Sequence, residues 1–128
     1  MIVTIGIGCM RGTAPSEVLE LVQATLAEAK ISPTAIACVA TIDRKQSEAA
    51  IDAVAARLGV KVQFFPAAEL AVETRITLAS DGVAASFGTP SVAEAAALLA
   101  AGPDAKLIVP KRRSAHATCA IAATGDTR

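Results

Sequence analysis

Gly8, Cys9, Arg11, Gly12 and Thr13 follow an apolar run, Ile2-Val3-Thr4-Ile5-Gly6-Ile7, and precede an amphipathic stretch opened by Pro15 and Glu17. A strand, a glycine-rich turn and a helix start present backbone N–H groups where an anion can sit. Glycine admits close approach because it has no Cβ. Arg11 inside the turn can add a bidentate grip on a carboxylate or phosphate. The competing reading is a tight strand-to-helix connection that binds nothing. Gly6, Gly8 and Gly12 spell G-x-G-x-x-x-G, one residue longer than a dinucleotide fingerprint. The acidic residue that such a fingerprint needs about 20 positions further on is missing. Glu28 falls on the predicted helix and Asp43 follows the second strand, so a Rossmann-type oxidoreductase does not fit.

The other candidates also fall where strands end. Asp43, Arg44, Lys45 and Lys111 each follow a predicted strand, and the crevice at the carboxyl ends of strands is the usual ligand site in open α/β sheets. Basic residues there suit a ligand with several carboxylates, although Lys111-Arg112-Arg113 also reads as a solvated loop. Ser91-x-x-Glu94 is a helix capping box, and the Glu94 carboxylate could in addition face the crevice. Cys9 at a helix start could be a thiolate with His116 as its base. His116 stands in an apolar run with no orienting third group in view, so a core histidine is expected. Cys38 and Cys119 lie in apolar strand-like runs and are expected to be small buried hydrophobes. One His and three Cys without a C-x-x-C spacing make no metal site, and no cofactor is implied.

These residues need a frame, and the hydropathy pattern supplies one. Residues 2–8 read as a first strand, and Val18, Leu21, Val22, Leu26 and Ala29 recur at helical spacing over about 15–30, a helix that Pro33 breaks. Residues 36–41 form a second buried strand. Asp43 and Gln46 fit a capping box for a helix whose apolar face is Ile51, Val54, Ala55 and Leu58, closed by Gly59. Val60, Val62 and Phe64 alternate as on a half-buried strand, and Pro66 opens a short helical turn around Glu69-Leu70. Residues 71–88 are ambiguous apart from a turn at Ser80-Asp81-Gly82. An alanine- and leucine-rich helix then runs from Ser91 to Gly102-Pro103, residues 106–110 form a strand, and 115–123 is a last apolar run. The alternation predicts an α/β fold: a single three-layer αβα domain over residues 1–124 with a mostly parallel sheet, its last strand antiparallel, and a short flexible tail at 125–128.

Composition narrows the function. Twelve basic and twelve acidic residues cancel, so no global field draws the chain to nucleic acid or to an anionic membrane. Three Phe with no Trp or Tyr leave few platforms on which bases could stack. Alanine supplies 30 of 128 residues, which favours helix and close packing but contributes little apolar area per residue. No basic leader and no apolar stretch of membrane-spanning length is visible, so a cytoplasmic protein is expected.

Four blocks in series carry a resemblance to a known family: residues 6–13 (GIGCMRGT), 40–48 (ATIDRKQSE), 88–97 (GTPSVAEAAA) and 107–111 (LIVPK), with Phe64-Phe65 and Glu69-Leu70 between the second and third. The chain resembles the CobE family of cobalamin biosynthesis, which is similar to the C-terminal domain of CbiG. Met10 departs from the pattern, since the family more often carries a basic residue there, and this leaves Arg11 alone in the turn. The resemblance implies a ligand that is a precorrin or corrinoid intermediate, a macrocycle fringed with acetate and propionate groups, and other cobalamin-pathway enzymes as further partners. The substrate-binding set it implies is Gly8, Cys9, Arg11, Gly12, Thr13, Lys45, Glu48, Gly88, Ser91, Glu94 and Lys111. Full-length CbiG opens a precorrin lactone and releases acetaldehyde, and the chain resembles only its C-terminal part. Two functions follow as expectations. One is binding of a corrinoid intermediate, to protect or deliver it. The other is lactone hydrolysis, with Glu48 or Glu94 positioning water and Lys45 or Lys111 stabilising the oxyanion.

Overall fold

The computed structural model describes residues 2–45, 48–73 and 92–124. Five strands, β1 (Val3–Cys9), β2 (Ile36–Ile42), β3 (Lys61–Phe65), β4 (Lys106–Arg113) and β5 (Ala117–Ala123), form one sheet in the order β3-β2-β1-β5-β4. Strands β1, β2 and β3 pair in parallel, and β5 runs antiparallel to both of its neighbours. The mixed sheet with an antiparallel β5 matches the expected α/β class.

Helices cover both faces. On one, α1 (Pro15–Ala29) and α2 (Ala49–Leu58) pack Val18, Val22, Leu26, Ile51 and Val54 onto Val3, Ile5, Ile7, Cys119 and Ile121. The alternate residues of β1 and β5 face the opposite layer, made by α3 (Ala67–Ala71) and α4 (Val92–Ala101), where Leu70, Ala96 and Leu98 meet Ala40, Ile42 and Ala122. The two-residue period of a strand divides its side chains between these cores.

Helix α4 comes unusually close to the sheet. A Cβ placed on Gly6 would lie 1.8 Å from the Ala93 carbonyl oxygen and 2.8 Å from the Ala97 nitrogen, so only glycine leaves room for the helix backbone. Next to it, Thr4 Oγ1 donates to the Ala97 carbonyl at 2.7 Å. Ala93, Ala95, Ala96, Ala97 and Leu98 are completely buried. The alanine bias therefore has a structural use here: small side chains let a helix lie directly on a strand.

Several local expectations are corrected. Helix α1 has the expected span, but it is closed by Lys30, whose left-handed backbone (φ 60°) directs its N–H to the Ala27 and Leu26 carbonyls, and not by Pro33. Asp43 caps no helix. Residues Asp43–Lys45 form a 3-10 turn, α2 starts at Ala49, and Gln46 lies outside the described residues. Strand β4 extends through Pro110 to Arg113 and takes in the basic residues expected in a loop. Pro110 is tolerated because β4 is an edge strand, and the ladder with β5 shifts register between Val109 and Arg112. Gly59 closes α2 as expected, in a left-handed conformation (φ 73°). The turn at Ser80-Asp81-Gly82 and the tail at 125–128 lie outside the described residues.

Two glycines separate packing from backbone strain. Gly6→Ala drives a Cβ into α4 and is expected to cost about 3 kcal/mol. Gly12, at φ 80° with open space around it, is expected to lose only about 1 kcal/mol as Ala. Urea denaturation of both variants beside the parent chain checks the ranking.

Candidate functional site

With β5 antiparallel to both β1 and β4, the carboxyl ends of β1, β2, β3 and β4 share one edge of the sheet. That edge carries the β1–α1 turn, the turn after β2 and the β4–β5 hairpin. Two neighbouring cavities open there. One, of about 290 Å³, is lined by Gly8, Cys9, Met10, Arg113, His116 and Thr118 among others. The second, of about 320 Å³, is lined by Met10, Arg11, Gly12, Thr13, Glu17 and His116. Met10, which is 61 % exposed, and His116 belong to both.

The glycine-rich turn is not the anion nest that its sequence suggests. Gly12 N–H donates to Glu48 Oε2 at 3.1 Å, so a carboxylate of the protein occupies that position. Met10 N–H donates to the His116 carbonyl and Thr13 N–H to the Met10 carbonyl. Thr13 Oγ1 also donates to Met10 O at 2.6 Å, and Thr13 is buried. Thr13 is thus a structural residue of the turn, while Arg11 beside it is exposed at the cavity wall.

Glu48 and Glu94 were candidates for positioning water, and both instead engage the backbone of neighbouring elements. Glu94 is completely buried, and its Oε2 accepts from Lys111 N–H at 2.8 Å, tying α4 to β4 where the ladder shifts. This corrects the expectation of a Glu94 carboxylate open to the crevice. Its capping-box partner Ser91 and the candidate Gly88 lie outside the described residues. Lys45 ends the 3-10 turn after β2, and Lys111 lies within β4.

The largest revision concerns His116. Its side chain is 55 % exposed, and Nδ1 lies 2.9 Å from Glu17 Oε1. The His116 backbone N–H donates to Glu17 Oε2 at 2.7 Å, and the Ser114 hydroxyl donates to the same oxygen. His116 is a hairpin residue oriented by Glu17, not a core residue. These hydrogen bonds, from the Ser114 hydroxyl first and then from His116, hold the Glu17 carboxyl down at about 2, below its ordinary 4.5. Glu17, Ser114 and Arg113 were absent from the sequence-derived set. A short polar segment between two apolar runs was the only cue to the hairpin.

Cys9 ends β1 and lines the first cavity, several residues before α1 begins, so it does not sit at a helix start. Burial pushes the Cys119 thiol up to about 12 and raises that of Cys38, as fits two small buried hydrophobes. Among the described residues, no helix is long and apolar enough to cross a membrane.

Fold and site together define a three-layer α/β domain with two cavities at the carboxyl edge of its sheet, one lined by Arg113 and the other by Arg11. The family described as "Cobalamin synthesis G C-terminus" matches residues 3–122. The chain belongs to this family of cobalamin-biosynthesis proteins. It is 42 % identical over 125 residues to "Protein CobE" of Sinorhizobium sp., covering 97 % of this chain and 81 % of that one. It is 32 % identical over 121 residues to the "Cobalt-precorrin-5A hydrolase" of Priestia megaterium, covering 94 % of this chain but only 32 % of the hydrolase. The crystal structure of CobE, a protein from the cobalamin (vitamin B12) biosynthetic pathway, superposes with a TM-score of 0.81 at 34 % identity, over 94 % of this chain and 89 % of that one.

Glu17 makes the hairpin pH-sensitive in a defined direction. A carboxylate whose folded value lies near 2 instead of 4.5 stabilises the fold fully above the higher value and loses that contribution as pH falls toward the lower. The stability deficit of Glu17→Gln relative to the parent chain should therefore be largest above about pH 5 and shrink between about pH 4.5 and 2. Chemical denaturation of both proteins across that range measures the difference directly.

Proposed function

We propose that the chain binds a polycarboxylate corrinoid or precorrin intermediate at the carboxyl edge and protects it or hands it to another enzyme of the pathway. The observation that carries this reading is the placement of Arg113 and Arg11 in the walls of two neighbouring cavities, with Lys111 on the same strand as Arg113, in a chain of zero net charge. Lys45 and Arg44, in the turn after β2, add to the same edge. Guanidinium and ammonium groups at the rim pair with acetate and propionate side chains. Met10 offers an exposed apolar surface to the body of the macrocycle. Cys9, Gly8 and Thr118 line the first cavity. Membership of a cobalamin-biosynthesis family supports a ligand of this class.

Lactone hydrolysis is the second reading, and the 32 % identity to a cobalt-precorrin hydrolase favours it. Against it, the two carboxylates expected to position water make hydrogen bonds to Gly12 N–H and Lys111 N–H. The chain also spans only 32 % of that hydrolase.

Gel filtration of the purified protein with cobyrinic-type or precorrin pigments, followed by mass measurement, separates the two. Binding predicts co-elution with the pigment mass unchanged, whereas hydrolysis predicts a mass change that depends on the protein. Arg11→Ala and Lys111→Ala are each expected to weaken pigment affinity about tenfold, as for loss of one charge-assisted hydrogen bond. Arg57→Ala, near the carboxyl end of α2 and remote from this edge, should leave affinity unchanged.

A further inference from the structure

Resting on the corrinoid reading above, we infer that His116 is an axial nitrogen ligand to the metal of a cobalt-containing corrinoid. Its imidazole Nδ1 lies 2.9 Å from Glu17 Oε1. A carboxylate only accepts hydrogen bonds, so the proton of the neutral ring sits on Nδ1 and the lone pair is left on Nε2. Among the described residues Nε2 makes no hydrogen bond. The ring is anchored further through its own backbone N–H, which donates to Glu17 Oε2 at 2.7 Å. A carboxylate behind the distal nitrogen is the arrangement that fixes the tautomer and raises the basicity of metal-binding histidines. The ring is exposed, and His116 lines both cavities.

The site suits a particular kind of metal. A bare divalent ion such as zinc needs three or four protein ligands. Among the described residues no group of three or more His, Cys, Asp and Glu side chains can hold one. A single imidazole instead complements a metal whose equatorial positions are filled by a macrocycle and whose axial position is open. Cobalt in a corrin is such a metal, and one relative is named for a cobalt-precorrin. Recognition then has two parts: cations at the rim take the peripheral carboxylates, and His116 takes the metal at the centre.

The test uses the intact chain with Co(II) cobyrinate and, as control, the metal-free macrocycle. Low-spin Co(II) carries its unpaired electron along the axial direction, so an axial ¹⁴N ligand splits its electron paramagnetic resonance lines into triplets. His116 is the only histidine in the chain, so ¹⁵N-histidine labelling addresses this ring alone. The expected result is a triplet in the bound pigment that becomes a doublet on labelling. His116→Ala is expected to abolish the splitting and weaken cobalt-pigment binding about tenfold or more while sparing the metal-free macrocycle. A pigment that co-elutes with the parent chain but shows no splitting, or a splitting that labelling leaves unchanged, overturns the axial assignment while the binding reading stands. Co-elution of the metal-free macrocycle but not the cobalt pigment overturns the axial assignment alone, and failure of both pigments to co-elute overturns both readings.

Discussion

The contact on which the structure depends is the seating of α4 on β1. Gly6 has no side chain, Ala93 and Ala97 have almost none, and the Ala93 carbonyl fills the space where a Cβ would project. Close approach lets Thr4 bond to the Ala97 carbonyl across the layer. It also brings Glu94, the residue after Ala93, within reach of the Lys111 backbone. Seating the helix therefore also fixes β4, the edge strand that carries Lys111 and Arg113. A sheet this rich in alanine buries little area per residue, and it gains stability from shortened distances and dispersion contacts in place of large side chains.

The carboxyl edge is built by a device used three times. Glu48 holds Gly12 N–H, Glu17 holds His116 N–H and Glu94 holds Lys111 N–H. Each bond joins two elements that are separate in sequence. The choice of partner has an electrostatic consequence. Acidic side chains that bind backbone donors fix the turns and strand carrying Arg11, Lys111 and Arg113 while leaving the polar ends of those cations to other partners. Arg112 shows the contrasting case. On the opposite face of β4 it pairs with Glu28 of α1 through two hydrogen bonds and serves as a surface tie.

The strands and helices were legible because apolar period and turn residues act locally. The run from Ile36, the repeat through Ile51, Val54 and Leu58, and the stop at Gly59 each mark an element without reference to the rest of the chain. Arg11 was legible as an edge residue for the same reason, whereas Lys111, expected after the strand, lies within β4. What the pattern could not convey was pairing at long range. Glu17 and His116 are 99 positions apart, and nothing in either neighbourhood names the other. His116 lies between Ala115 and Ala117, which reads as core until the hairpin that turns it outward is known. The glycine-rich turn misled in the opposite sense. Its composition suggests donors waiting for an anion, but Glu48, reached through the fold, already accepts from one of them.

A chain with twelve charges of each sign exerts no long-range pull on an anionic ligand, so discrimination falls to contacts made within a few ångströms. Such contacts are selective only if the donors stand in place before the ligand arrives, because ordering side chains and loops on binding offsets the affinity they provide. The three carboxylate bonds meet this requirement for the backbone: the β1–α1 turn, the hairpin and the edge strand are each tied to another element. The exposed Met10 lines both cavities, and its flexible thioether can conform to an uneven apolar surface. On the proposed reading, cations carried on tied backbone beside an exposed apolar Met10 suit a ligand that is charged at its periphery and apolar across its face. Such an edge disfavours extended polyanions, whose binding draws on the net positive field that this chain lacks.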